Sequence, residues 1–574
     1  MRDSHLTRHT HEVRNQVPPL TGHDVAANQA LLTAVEAQGG KAVLPELHEI
    51  GRLAGSAEVA ELARQANVSS PVLRTHDRYG HRIDEVEFHP AWHQLMTTAV
   101  DRGLHATPWT SDAPGAHVAR AAKFYVWTQA EAGHGCPISM TYSIVPALRH
   151  APELAARLEP LLASTTYDPG LKDPDRKAGL LAGMAMTEKQ GGSDVRANTT
   201  RAVPGNDGDG SYLLTGHKWF CSAPMCDLFL VLAQAEKGLT CFLLPRVLPG
   251  GERNSMRLQR LKDKLGNRSN ASAEVEYDEA VAWRVGDEGA GVRTIIEMVS
   301  STRLDCILGS AAAIRQALAE AIHHASYRQV FGAVLADQPA MTAVLADLAL
   351  ESEAATTLAI RLAGAADRAA EGDRSEALLL RLLLPAAKHW ICKRTPAVIG
   401  EALECLGGNG FIEESVMPRL YRDAPLNSIW EGSGNVTALD LLRALRRSPD
   451  TLEALRAELA LAGGSDRRID RAIGELEREL AEVAAIDPGS AGQHGAGQHG
   501  AGQHGAQSRA RRLAGLVTVV TQAALLARYA PSAVSDAFCA SRLDSSGGFG
   551  GPGVSFGMLP RGLELLPILE RAKP

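Results

Sequence analysis

Two short stretches hold residues whose types and order could do chemistry. In Ile-Trp-Glu-Gly-Ser-Gly-Asn (429–435) one carboxylate, Glu431, stands between an aromatic wall and a flexible turn. A carboxylate in that setting reads as a lone general base. In Gly-Met-Ala-Met-Thr-Glu-Lys-Gln-Gly-Gly-Ser-Asp-Val (183–195), Thr187-Glu188, two adjacent glycines and Ser193-Asp194 crowd donors into one loop. Its backbone can approach a ligand closely, which suits a flat, polar-edged, anionic cofactor. Taken alone, this loop also fits a glycine-rich surface turn, and Glu431 a helix-capping carboxylate.

The elements that must position these residues follow from periodicity. Segments 28–37, 56–65, 91–100, 117–132 and 152–162 read as helices between polar turns. From about 184 to 285 the texture changes to short apolar or alternating runs between Gly, Asp and Asn turns, and strands are expected at 211–215, 228–233, 239–244 and 272–277. Helical periodicity returns at 291–298, 304–329, 339–366, 375–393 and 397–406. The fold class is therefore α+β, mainly α. Four segments are expected: an N-terminal helical domain (1–183), a β domain (184–285), a helical bundle (286–446) and a C-terminal helical extension (447–574).

Within the extension, 449–462, 467–485 and 511–530 are amphipathic, and 491–505 repeats Ala-Gly-Gln-His-Gly three times. With Gly at two positions in five, that repeat is expected to be a disordered insertion without helix. Its histidines read as part of a flexible expansion before a metal site, and His323-His324 as surface or packing residues.

Composition narrows the function classes. With 45% hydrophobic and 22% charged residues over 574, the chain is an ordinary multidomain globular protein. The net charge of −7 argues against a protein basic overall, so a polyanion must be met by a local patch. Eight scattered cysteines without C-x-x-C spacing fit reduced thiols, and no apolar run approaches ~18 residues. A cytoplasmic protein with no membrane partner is the expectation. Walker, H-E-x-x-H, G-x-S-x-G and complete G-x-G-x-x-G motifs are absent, and no metal site is expected.

The ordered set Thr187-Glu188 … Gly192-Ser193-Asp194, Gly216-His-Lys-Trp-Phe-Cys-Ser, Lys264-Leu-Gly-Asn-Arg-Ser, Arg328-Gln-Val-Phe-Gly with Gln338, Leu406-Gly-Gly-Asn-Gly-Phe and Ile-Trp-Glu-Gly-Ser resembles the acyl-CoA dehydrogenase family. Phe88-His-Pro-Ala-Trp-His, the extended loop Thr187–Val195, Leu261–Ser272 and Asn427–Asn435 are similar to its AidB branch, flavoproteins of the adaptive response to DNA alkylation. The resemblance implies FAD and the fold of that family. It implies that Thr187 and Ser193 give hydroxyl contacts, that Phe220 covers the flavin ring and that Ser222 bonds its edge. It implies that Arg328, Phe331 and Gln338 reach the ADP part across a subunit interface, that Asn435 closes over the cofactor, and that Met186, Gly192, Ile429, Trp430 and Gly432 complete the contacts. Glu431 takes the role of the base, with its own amide as one donor to the thioester oxygen. One departure is plain: Glu404 stands where many relatives carry Gln, and a carboxylate beside a pyrophosphate is repulsive.

The same resemblance implies non-specific double-stranded DNA binding and protection against alkylation, weak activity on an isovaleryl-CoA-like acyl-CoA thioester, and a homotetramer. A conventional branched- or short-chain acyl-CoA dehydrogenase of catabolism is the alternative. Residues 449–574 hold thirteen Lys/Arg against fourteen Asp/Glu. Arg443, Arg446 and Arg447, then Arg509, Arg511 and Arg512, form the local clusters that could meet phosphates.

Overall fold

The computed structural model describes residues 10–205, 208–486, 501–543 and 555–574. Helices α1 (Gln29–Ala37), α2 (Leu44–Ala54) and α3 (Ala57–Val68) lead into a hairpin of β1 (Val72–His76) and β2 (Arg82–Glu87). Then come α4 (Pro90–Asp101), α5 (Ala116–Ala130), α6 (Gly135–Leu148) and α7 (Pro152–Leu162). Strands β3 (Ala182–Ala185), β4 (Arg201–Pro204), β5 (Ser211–Ser222), β6 (Leu228–Ala235), β7 (Gly238–Pro245), β8 (Met256–Leu261) and β9 (Ser272–Val285) follow. All four expected strands are present and each is longer than its apolar run.

Pairing runs β6–β4–β5–β9–β7 and back to β6, so the sheet closes on itself; β3 adds parallel to β6 and β8 antiparallel to β9. Closure removes the unpaired edges that an open sheet would expose. The second helical region opens with α8 (Gly291–Tyr327), and a two-residue ladder of β10 (Gln329–Val330) and β11 (Ala333–Val334) turns the chain into α9 (Pro339–Ala370). Then follow α10 (Arg374–Cys405), α11 (Met417–Asp423) and α12 (Gly434–Arg447). The extension supplies α13 (Asp450–Ala460), α14 (Arg467–Ile486), α15 (Ala501–Tyr529), α16 (Ser532–Arg542) and α17 (Leu565–Ala572).

Several local expectations are corrected. The expected gap between 298 and 304 is absent: α8 runs straight through Ser300-Ser301, the hydroxyls bonding the carbonyls of Ile296 and Glu297. α10 is likewise one helix although it contains Pro385 and Pro396. Each proline forfeits a backbone bond, and packing between α8 and α9 holds the helix together. The last unit of the repeat, Ala501–Gly505, is helical as the first turns of α15, contrary to the expected disorder. Glycine costs a helix about 1 kcal/mol each, which a 29-residue helix offsets where Ala506 and Ala510 bury. Residues 491–500 of the repeat lie outside the described residues.

Two apolar cores result. One joins the sheet to α6 and α7. The other unites α1–α5, the bundle and the extension, including Leu513, Val517, Val520 and Leu525 of α15. Burying each such side chain contributes about 1.5–3 kcal/mol, so α15 is a wall of the bundle and not a flap on it. Inside α8, buried Arg315 donates to the carbonyls of Ala572 (2.5 Å) and Lys573 (3.1 Å), pinning the end of α17.

Candidate active site

The turn carrying Glu431 lies between a single 3-10 turn (Leu426–Ser428) and α12. Glu431 has φ +57° and Gly432 φ +101°. A glutamate in the left-handed region costs roughly 1–2 kcal/mol, so surrounding bonds must hold it. Arg303 of α8 supplies one, its Nε donating to the Glu431 carbonyl at 2.9 Å. Arg303 is fixed in turn by buried Asp440 of α12 at 2.6 Å, an acid shared with Arg381. A Cβ at Gly432 would stand 3.2 Å from Arg303 Nη2, which accounts for glycine there. The Thr302 hydroxyl donates to the Glu431 carboxylate at 2.7 Å. Burial raises the carboxyl's pKa, while that hydrogen bond and the charges of Lys388 and Arg303 oppose the rise. This is the balance a general base requires. Among the described residues the Glu431 amide has no acceptor, so it is available as a donor to a ligand.

The loop after β3 forms the facing wall. Glu188 does not face a ligand. Its side chain is fully buried, 2.8 Å from Lys218, and accepts bonds from the amides and hydroxyls of Thr199 and Thr200. It is the knot that ties the loop to β5, and the bond from the Trp219 amide to the Thr187 carbonyl (2.8 Å) continues that tie. Outside the knot, Gly192 and Ser193 are exposed and Met186 and Thr187 half-buried. A Cβ on Gly192 would lie 2.5 Å from Thr187 Oγ1, so only glycine leaves that hydroxyl clear. On β5, a register shift between Lys218 and Cys221 puts Phe220 and Ser222 on the outward face, Phe220 half exposed.

The two walls converge. Trp430 and Met186 both pack against the sheet's core. Cys136, in the first turn of α6, is buried near Ser222 and Asn270 and feels the charge of Glu431. Burial pushes that thiol up to about 12, so it lines the site as an apolar, unreactive group. Asn270 is 2% exposed, and neither its Nδ2 nor its Oδ1 has a partner. Beside it Lys264 donates to the Asn270 carbonyl at 2.7 Å, its pKa brought down to about 8 by burial.

Other expected residues do not join this site within one chain. Arg328 is 25 residues along α8 from Arg303, about 37 Å at helical rise. It donates to the Asn15 carbonyl; Phe331 is fully exposed with φ +51°, and Gln338 donates to the Val330 carbonyl at 3.3 Å. Ile429 and Asn435 are exposed at the rim, and Glu404 is exposed at the end of α10. No motif assigns a role to Thr302, Arg303, Lys388, Cys136 or Asn270. The one sequence signal among them is Lys388, a charge inside the apolar run of α10.

The cationic clusters also separate. Arg509 pairs with Glu479 and Glu482, and Arg512 with Glu475 and Glu479, all on α14. Arg511 turns the other way, its Nη2 3.4 Å from where a Cβ of Gly434 would be. Arg443 makes a 3.4 Å contact with Asp440 and is half exposed; Arg446 and Arg447 are exposed at the end of α12.

Comparison with known proteins matches this arrangement segment by segment. Residues 15–169 match the adaptive response protein AidB N-terminal domain, 183–280 the acyl-CoA dehydrogenase middle domain and 289–446 the acyl-CoA dehydrogenase C-terminal domain. The chain is 46% identical over 545 residues to AidB of Escherichia coli (strain K12), covering 94% of this chain and 95% of that one. It belongs to the AidB branch of the acyl-CoA dehydrogenase family. Acyl-CoA dehydrogenase family member 11 of Caenorhabditis elegans is 31% identical over 444 residues, covering 75% of this chain and 71% of the relative. The crystal structure of C. elegans ACDH-11 in complex with C11-CoA superposes with TM-score 0.81 at 26% identity, over 94% of both chains. The protein is thus an oxidoreductase of the acyl-CoA dehydrogenase fold, and FAD is that family's cofactor. The chain's residues fit the group: a glycine-cleared hydroxyl at Thr187, an outward Phe220 and Ser222, and a buried amide, Asn270, with both polar atoms unspent.

Proposed function

We infer that this protein is a FAD-containing, AidB-type acyl-CoA dehydrogenase that oxidises acyl-CoA thioesters weakly and binds double-stranded DNA non-specifically, protecting it from alkylation. One observation carries the chemistry: Glu431 is recessed, hydrogen-bonded by Thr302, and set around the same thiol as Ser222. FAD, when bound, would supply the hydride acceptor. Ionised Glu431 takes the proton from the carbon α to the thioester carbonyl. Its free amide donates to the carbonyl oxygen as negative charge grows there. Trp430 and Cys136 keep that face apolar and Thr302 aims the carboxylate. Met186, Thr187, Gly192, Ser193, Phe220 and Ser222 hold the flavin end, with Ile429, Gly432 and Asn435 closing the rim. Arg328, Phe331 and Gln338 serve the ADP end of a neighbouring copy in a homotetramer, which the full exposure of Phe331 supports.

Glu431→Gln is expected to retain a yellow, FAD-loaded protein and to lose about 10²–10⁴-fold in dye-coupled oxidation of an acyl-CoA. A variant that turns over like wild type removes Glu431 from the role of base. For DNA, retardation of a duplex at low salt, lost steeply as salt rises, is expected. A catabolic branched- or short-chain dehydrogenase is the second reading. It is favoured by the pairing of Arg509 and Arg512 with α14 acids, and absence of any retardation at low salt would select it.

A further inference from the structure

Lys388 is buried to 2% in the middle of α10. Among the described residues no carboxylate pairs with it. Its ammonium donates instead to three main-chain carbonyls: Asn427 at 2.9 Å, Trp430 at 2.8 Å and Gly432 at 2.8 Å. The three N–H groups of the ammonium are therefore all used, which is what makes an interior charge tolerable.

The carbonyls it holds flank Glu431 on both sides, and Arg303 holds the carbonyl of Glu431 itself. Three consecutive carbonyls, 430 to 432, thus point at cations. In a trans peptide the C=O and N–H point in opposite directions. Fixing these carbonyls toward α8 and α10 therefore turns the amides of Glu431, Gly432 and Ser433 away from the cations. None of those three amides has an acceptor among the described residues. Successive N–H groups on one side make an anion-stabilising concavity, and the positive φ of Glu431 and Gly432 marks the turn that presents them.

We propose that Lys388 is a positioning residue for the reaction: it holds the 427–432 turn so that Glu431 presents its carboxylate and its amide N–H together to the thioester. This rests on the assignment of Glu431 as the base. A side chain that only filled space here could be Met or Leu, with no charge to desolvate. The Lys388 charge lies close enough to favour the ionised form of Glu431, so its loss also has a sign in pH.

The test uses the FAD-loaded full chain with Lys388→Met and Lys388→Arg, the latter keeping the charge but replacing a three-donor point with a flat fork. Both are expected to keep flavin content and KM for an acyl-CoA within about threefold of wild type, and to lose about 10²-fold in kcat. In the methionine variant the acid limb of the pH profile should move to higher pH. A non-oxidisable 3-thiaacyl-CoA should then need higher pH to give its long-wavelength absorbance with the flavin. If Lys388→Met does not fold, Lys388→Arg carries the test. An arginine variant with wild-type kcat and an unmoved pH profile overturns the proposal. Glu431→Gln measured beside them separates the two readings. If it is active, the base assignment has failed. If it is dead while Lys388→Arg is fully active, only the role of Lys388 has.

Discussion

The Thr302 hydroxyl, 2.7 Å from the Glu431 carboxylate, sets a balance that can be moved in one direction. Burial raises the Glu431 pKa above the ordinary carboxylate value, and Thr302 is the first of the groups pulling it back. Removing the hydroxyl removes a bond that favours the ionised carboxylate. Thr302→Val should therefore raise the folded-state pKa further and shift the acid limb of kcat/KM to higher pH, with the alkaline plateau little changed. A limb that stays put or moves down would show that Thr302 does not act on the Glu431 carboxylate. The same logic gives Glu431 itself a stability signature. Its raised pKa means that protonation favours the folded state, so its stabilising share is present at low pH and is lost as pH rises through that pKa.

The element that organises the wall facing Glu431 is β5 with the loop it holds. Burial pushes the Glu188 carboxyl up, but the Lys218 charge and the bonds from Thr199 and Thr200 overturn that and keep it well below the usual carboxylate range. Stability from Glu188 is thus complete above the ordinary carboxylate pKa and lost as pH falls through the folded value. Lys218→Met should cost about 3–5 kcal/mol, since it strands a buried carboxylate; urea unfolding at pH 7 measures it, and a loss under about 1 kcal/mol would mean that the knot is dispensable. The loop from Thr187 to Ser193 is legible in the sequence as a ligand cradle, because its glycines and hydroxyls are contiguous, whereas Phe220 and Ser222 are named only by the family resemblance. The supports of Glu431 are not legible there. Thr302, Arg303 and Lys388 come from two long helices whose mutual rotation no local pattern encodes. The hairpin β1–β2 is hidden for another reason: its alternation is short and flanked on both sides by strong helical periodicity. Pro396 misleads in the opposite sense, because packing from both sides can carry a helix through a proline that propensity says should end it.

At the scale of the whole molecule, charge is distributed by pairing as much as by count. Arg509 and Arg512 are spent on α14, so on the proposed DNA reading the exposed end of α12 is the surface that would meet phosphates. Arg443→Ala with Arg447→Ala should weaken duplex retention and lower the slope of log K against log salt by about 0.9 for each phosphate no longer neutralised. Arg509→Ala with Arg512→Ala should leave retention nearly unchanged; the reverse ranking would move the interface to α15. Arg315 in α8 grips the carbonyls of Ala572 and Lys573, while Arg542 reaches Asp347 and Glu351 on α9. The extension is in that sense laced into the middle of the chain. Cutting the chain at 447 to separate the acyl-CoA dehydrogenase domains from the extension would unroof the bundle and yield a misfolded fragment, so the proposed DNA role must be tested by point substitution in the intact protein.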